Sequence, residues 1–393
     1  MSTTVDQLFV SLKHWLVGLV PEAWQTIASV LLSIAPILAV FPLLFAITTW
    51  LERKGLGRIQ NRLGPNRVGP FGWFQPIADG IKMLTKEDVV PRSADHLVHF
   101  LAPVVLIVPV LLAYSVLPFG KNMVAIDLDE GALFFFAVGA ATELSVFMAG
   151  WGSRNKYSVL GAMRAIAQMI SYELPLVISS LTVVMLAGSM SLVTIVDRQA
   201  PVIFGFLHQW YVFTPWGLAG CVLFFIAATA ESNRTPFDLP EGESEIIAGY
   251  LIEYSGFKYA LFFMGEYLGL FAISSLGITL FLGGWLAPFA FLDWIPSYLW
   301  FFLKLFGIIC LFIWIRGTLP RLRIDQLMNF AWKFMLPMTL INVAVAGLWY
   351  YSREWGGIPI RWFMCAFCIA VPYVVLGRAV EPRVARRIYR YSN

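Results

Sequence analysis

Long apolar runs constrain this chain more than any motif in it. Near Thr26–Trp50, Leu97–Phe119, Ala132–Trp151, Ala165–Gly188, Trp210–Ala230, Phe257–Leu286, Ile295–Ile315, Phe334–Tyr351 and Ile358–Gly377, apolar residues continue for about the 20 positions a helix needs to cross a bilayer. In hydrocarbon every backbone N–H and C=O must be satisfied within the structure, which leaves helices or a closed barrel. Barrel strands would alternate over about ten residues, and these runs do not. The sequence therefore predicts an all-α polytopic membrane protein: about nine transmembrane helices plus amphipathic interfacial helices, in a single membrane domain, 1–393. Composition agrees, with 59% hydrophobic and 13% charged residues against roughly 25% charged in a soluble domain. The ninth run is short and carries Arg361 at its edge, where a long cationic side chain can snorkel to the interface.

Lys and Arg, counted by connection, set the orientation. Arg53, Lys54, Arg58, Arg62, Arg67, Lys82, Lys86 and Arg92 follow the first run, and Arg154, Lys156 and Arg164 the third. Arg234 and Lys258 follow the fifth, Arg316, Arg321, Arg323 and Lys333 the seventh, and five arginines close the tail. The even connections hold only Lys121, Arg198, Arg353 and Arg361. The expected topology is N-terminus outside and C-terminus in the cytoplasm. Ahead of the first run, Leu8, Leu12, Trp15, Leu16 and Leu19 share one helical face without a basic start or cleavage site, which reads as an interfacial helix and not a signal peptide.

Cofactor chemistry finds no framework here. Cys221, Cys310, Cys365 and Cys368 all lie in apolar runs, and Cys365 with Cys368 is half of what a closed metal site requires. His96 and His99 beside Asp95 read as a hydrated polar edge. With no glycine-rich phosphate loop, haem-type cysteine pair or iron–sulfur spacing, the chain is expected to carry no cofactor of its own and to bind no nucleic acid.

Ionisable residues concentrate in two inner blocks. The first connection holds Glu52-Arg53-Lys54, then Gly64-Pro65-Asn66 and Gly69-Pro70, turn residues that hold Arg58, Arg62 and Arg67 in a defined loop. From Trp73 to Lys86, Trp73, Ile77, Ile81 and Leu84 fall on one face and Gln75, Asp79, Lys82 and Lys86 on the other, so this helix should lie flat in the inner interface. It is either a surface brace or the wall of a polar cavity faced by Asp79 and Lys82; the loop could bind anionic lipid, but its turn chemistry favours a docking surface.

The second block places six carboxylates, Glu231, Asp238, Glu241, Glu243, Glu245 and Glu253, against two cations, Arg234 and Lys258. Thr235-Pro236-Phe237 and Leu239-Pro240 should tuck it against the bundle. Carboxylates crowded where water is scarce hold protons more tightly and can exchange them near neutral pH. Inside the runs lie Glu143, Glu173, Glu266 and Lys304. An ionisable residue at membrane depth is expensive, so the default expectation is a polar path. Pro175 removes the amide that would meet the Ser171 carbonyl and predicts a kink. Glycines around Glu266 let another helix approach.

The blocks Glu52-Arg53-Lys54, Arg62-Leu63-Gly64-Pro65-Asn66, Gln75 to Lys82, Gly161-Ala162-Met163-Arg164-Ala165, Ser171-Tyr172-Glu173, the acidic block, Ile252-Glu253-Tyr254, Gly265-Glu266-Tyr267 and Trp314 to Arg321 resemble those of the H subunit family of proton-pumping NADH:quinone oxidoreductase, equivalent to subunit 1 of mitochondrial complex I. The likeness runs from about Thr26 to Tyr351. It gives a family core at 26–351, an N-terminal helix at 1–25, and an extra span with a basic tail at 352–393.

The resemblance implies a bacterial inner-membrane subunit at the junction of the redox and membrane arms. Its inner loops would form a narrow quinone chamber with two peripheral subunits, one carrying the terminal iron–sulfur cluster. Quinone would be the substrate, with NADH, flavin and iron–sulfur clusters bound by partners. Small membrane subunits and antiporter-like pumping subunits would be its other neighbours. Arg53, Arg62, Asp79 and Arg316 would belong to the chamber or its entrance, and Glu52 and Lys82 are assigned there with them. Glu231, Glu241, Glu243, Glu245, Glu173 and Glu266 would form an acidic path towards the pumps, to which Asp238, Glu253 and Lys304 are added. Glu143 falls outside the matched motifs. Two alternatives share parts of this pattern: the equivalent subunit of a membrane-bound hydrogenase or ferredoxin-fed complex, and a stand-alone proton-coupled transporter. Against the latter, the sequence shows no internal repeat or paired broken helices.

Overall fold

The computed structural model describes residues 6–203, 205–238, 248–352 and 358–380. Among these, eight helical stretches are long and apolar enough to cross a membrane. They contain α2 (Gln25–Ile59), α4 (His96–Ala113), the pair α5 (Gly131–Gly139) and α6 (Ala141–Gly152), α7 (Lys156–Ala187), α10 (Gly256–Phe281), α11 (Ser297–Thr318), the run from α12 (Ile324–Phe330) to α13 (Leu336–Tyr351), and α14 (Ile358–Val380). The expected fifth crossing is α9 (Pro215–Glu231), 17 residues, or about 26 Å of helix. It begins later than hydropathy suggests because the Thr214 hydroxyl accepts from the Gly217 amide at 3.2 Å and Pro215 opens the helix. A proline there wastes no hydrogen bond.

The remaining elements are short. They are α1 (Leu8–Gly18), α3 (Gln75–Thr85), α8 (Leu192–Asp197) and a two-residue hairpin, β1 (Val202–Ile203) against β2 (Leu207–His208). The all-α reading holds apart from this hairpin.

Polar residues set where the helices stop. α10 ends at Phe281, short of the expected Leu286, because Gly283 and Gly284 take left-handed conformations (φ 69° and 50°) that side-chain-bearing residues avoid. α2 instead overruns its apolar run by a further nine residues to Ile59, which puts Glu52 and Arg53 on rigid helix. α7 starts at Lys156, where the Asn155 side chain accepts from the Tyr157 amide at 3.0 Å. It then continues through Pro175 as one helix, so the proline does not end it. A π-helical turn, Ala331–Met335, joins α12 to α13 and brings the Trp332 indole to donate to the Ser171 hydroxyl at 3.3 Å.

α10 is the most buried of the crossings and α2 among the least. The core around α10 draws on Phe224, Tyr267, Phe271, Phe281 and Phe301. Tight helix approach explains one sequence block. A Cβ on Gly161 would come within 2.6 Å of the Gly249 Cα, so α7 passes directly against the chain that leads into α10. Gly161→Ala should therefore force backbone apart at a cost of about 1–3 kcal/mol. The check is the thermal inactivation midpoint, which should fall while Gly347→Ala, in open space on α13, leaves it unchanged.

α1 docks on the face opposite the first polar loop. Asp6 accepts from the Ser297 amide at 2.7 Å and hydroxyl at 2.6 Å, and Lys13 reaches Ser33 at 2.7 Å. Leu8, Leu12, Trp15 and Leu19 stay exposed. The expected hydrated edge at the start of α4 is different in fact. Asp95 caps the helix by accepting from the Leu97 and Val98 amides, but His99 is fully buried and stacks on Tyr254 with ring centroids 4.0 Å apart.

Candidate functional site

Glu52 is the pivot of the first block. Because α2 runs on past the apolar stretch, Glu52 turns inward and is buried, while Arg53, the next residue along the helix, points to the polar surface. Three groups converge on Glu52. Arg316, from the end of α11, donates to Oε1, and the Tyr267 hydroxyl on α10 donates to Oε2. Arg234 places Nη1 3.7 Å from Oε1 and lays its guanidinium over the Tyr267 ring at 3.8 Å. Burial alone would lower the proton affinity of Arg234, but Tyr267, Glu52 and Glu266 outweigh it and raise it. A buried guanidinium so compensated stays charged.

On the polar side, Arg53 donates to Asp79 at 2.6 Å, and Gln75 donates to the other Asp79 oxygen at 2.9 Å. This ties α3 to α2. The apolar side chains Trp73, Ile77, Ile81 and Leu84 of the α3 segment are all exposed, as a helix lying in an interface requires. Lys82 is exposed on α3 and does not join Asp79. Arg62 is exposed and donates to Gln60 at 2.7 Å. Of the residues assigned to the chamber, the structure gathers Glu52 with Arg316 and Arg53 with Asp79, and leaves Arg62 and Lys82 exposed and apart from both pairs.

The stranded acids come together on three helices. Glu143 of α6 and Glu173 of α7 lie beside each other, and Glu231 at the end of α9 is their acidic neighbour. The Glu231 Oε2 atom is buried without a partner among the described residues. A cavity of about 80 Å³, lined by Glu231, Thr142, Tyr250 and Glu266, joins this cluster to α10. There the Tyr250 hydroxyl donates to Glu266 at 2.6 Å. The lining is mainly apolar, with these few polar groups set into it, and the volume has room for a few waters.

Other acids serve local contacts. Asp238 is buried and takes a bond from Arg321 at 2.6 Å. Glu253 accepts from the Asn155 amide group at 2.7 Å. The tuck expected at Pro236-Phe237 is present: Phe237 is buried, its ring 5.4 Å from that of Tyr172, and its carbonyl accepts from Gln168 at 2.7 Å. Glu241, Glu243 and Glu245 lie outside the described residues.

Lys304 does not join the acids. Its ammonium donates to the carbonyls of Leu282, Gly284 and Leu286 at 2.6, 2.8 and 2.7 Å and sits 4.0 Å from the centre of the Trp210 ring. The sequence placed it on a proton path. The structure instead uses its three N–H donors to satisfy backbone left open where α10 ends, at the opposite end of that helix from Glu253. The residues that sequence reasoning underused are Arg234, Tyr250, Tyr267 and Glu143. The first three stood inside or beside quoted blocks, but nothing in one dimension shows that a loop arginine lies over a ring on α10.

Comparison with known proteins gives concordant results. A family model described as NADH dehydrogenase matches residues 32–347. The chain is 46% identical over 344 residues to the H subunit of NADH-quinone oxidoreductase from Geobacillus kaustophilus, covering 86% of this chain and 100% of that protein. It is 50% identical over 299 residues to the protein of the same name from Dehalococcoides mccartyi (76% and 80% covered). To that from Polaromonas naphthalenivorans it is 41% identical over 351 residues (88% and 97%).

Proposed function

This chain belongs to the NADH dehydrogenase family, as a multi-pass membrane subunit of NADH-quinone oxidoreductase, and from that membership we propose that it walls a quinone chamber and couples quinone reduction to proton movement through its buried carboxylates. The observation that carries this reading is the continuity between the two ionisable blocks. Arg234 lies against Glu52 and within electrostatic reach of Glu266, and Glu266 shares a cavity with Glu231, which in turn senses Glu143 and Glu173.

Quinone reduction takes two electrons and two protons. The electrons come from the terminal iron–sulfur cluster of a peripheral subunit, fed by NADH and flavin in other partners; this chain supplies position and charge. Arg53, Asp79, Glu52 and Arg316 border the side of the bundle on which the headgroup is received, with Arg62 and Lys82 at its rim. Negative charge forming on the quinone raises the proton affinity of nearby carboxylates, and in a poorly hydrated bundle that influence reaches further than in water. Protons then pass along Glu266, Glu231 and the Glu143–Glu173 pair towards neighbouring membrane subunits, with Glu241, Glu243 and Glu245 on the same path. Lys and Arg bias places the chamber side in the bacterial cytoplasm and the N-terminus outside.

Glu231→Gln tests the reading. The variant keeps volume and hydrogen-bonding capacity but cannot release a proton. In assembled complex, quinone reduction and proton pumping should fall together by about fivefold or more, an amount equal to roughly 1 kcal/mol of lost coupling. Wild-type rates in both, measured in membrane vesicles, would remove the acids from the mechanism.

A further inference from the structure

We propose that a hollow where α2 meets the turn leading into α3 binds the headgroup of an anionic phospholipid. The hollow has a volume of about 340 Å³ and is lined by Trp50, Lys54, Arg58, Phe71 and Trp73 among others. Among the described residues, no acidic side chain lines it. Lys54 and Arg58 are one helical turn apart on the same face of α2, the spacing at which two cations converge on one anion. Neither makes an ion pair among the described residues, in contrast to Arg53 beside them, which is held by Asp79.

The depth of the hollow fits a lipid headgroup. α2 has 35 residues, or about 52 Å of helix, and the hydrocarbon core takes up about 30 Å. Its last turns therefore stand in the headgroup zone. Trp50 marks the boundary, as tryptophan does at membrane interfaces: its indole donates to the Phe71 carbonyl at 3.2 Å and packs 4.9 Å from the Trp73 ring. The exposed Ile77, Ile81 and Leu84 of α3 set the same level from the other side. Lys54 and Arg58 fall one and two turns beyond Trp50, at the height of a phosphate. On the membrane side, Leu43 of α2 lies two turns below Trp50 on the same face and is exposed, which gives an acyl chain an apolar surface to lie on.

The turn itself is built for this placement. Phe71 adopts a left-handed backbone (φ 54°), unusual for a bulky residue. A Cβ on Gly72 would run into the Pro65 carbonyl. The loop is thus pinned, and the Phe71 ring is left 72% exposed.

The test uses the purified, delipidated complex that contains this chain, titrated with phosphatidylglycerol or phosphatidylcholine and read by native mass spectrometry. The wild type should retain one more phosphatidylglycerol than Lys54→Gln/Arg58→Gln, with about 30-fold weaker binding in the double variant, from two basic side chains at the surface. Lys54→Arg/Arg58→Lys should bind as wild type, and added salt should weaken wild-type binding more than that of the double variant. Should the double variant not assemble, each single Gln variant should show about a fivefold loss. Equal retention of phosphatidylcholine, undiminished phosphatidylglycerol on the Gln variants, or equally tight inorganic phosphate would overturn the proposal. So would protection of Lys54 from acylating reagents in lipid-free complex, which would mean that another protein of the complex covers the hollow.

Discussion

Glu52→Ala should cost the complex more than any other single change in this chain. The substitution leaves Arg234 and Arg316 facing each other in the bundle, and Arg234 has only 11% of its side chain exposed. Breaking one partner out of a buried ionic group typically costs about 3–5 kcal/mol, because the remaining charge is uncompensated. The expected result is loss of assembled complex at growth temperature, read from the amount of intact enzyme in solubilised membranes. Tyr267→Phe, which removes one donor and keeps both ion pairs, should lose only about 1 kcal/mol and assemble. Removing charge on both sides, as in Glu52→Gln with Arg234→Gln, should restore part of the yield. If Glu52→Ala assembles to wild-type levels, the cluster is not what holds α2, α10 and α11 together at this end.

The second large effect concerns the Glu143–Glu173 pair. If the two carboxylates act as one proton-holding unit, Glu143→Gln and Glu173→Gln should each lower coupled turnover by about tenfold or more, and the double variant should be scarcely worse than either. Groups that act as a unit are strongly non-additive, whereas independent sites add in free energy. The measurement is NADH-driven quinone reduction with simultaneous proton uptake in vesicles. Multiplied losses in the double variant would show that the two acids work separately, whatever each contributes.

The helical kind of the crossings was legible in the sequence because hydrocarbon leaves a chain few choices, and eight of the nine expected runs are long enough to cross, the remaining one, α9, being shorter. Runs of apolar residues near Leu97–Phe119 and Ile295–Ile315 became α4 and α11 almost where expected. Ends were less legible, since capping and glycine decide them: Thr214 delays α9, Gly283 and Gly284 cut α10 short, and α2 overruns into polar sequence because nothing in it breaks a helix before Gln60. The site followed the same division. Arg53, Asp79, Glu52, Arg316, Glu173 and Glu266 stood out as charges in an apolar chain. Which of them touch depends on helix packing, so Lys304 was grouped with the acids although it caps the far end of α10. Glu143, outside every matched block, lies beside Glu173.

The cavity between Glu231 and Glu266 measures about 80 Å³, and this smallness has a consequence for ion selectivity. A few waters in file can hand on a hydronium by bond exchange. A sodium or potassium ion would have to shed most of its hydration shell to enter, and the mainly apolar lining offers little to replace it. On the proposed proton route, a passage of this bore would discriminate by mechanism of transport instead of by charge, so substituting sodium for choline in the buffer should leave the proton current unchanged.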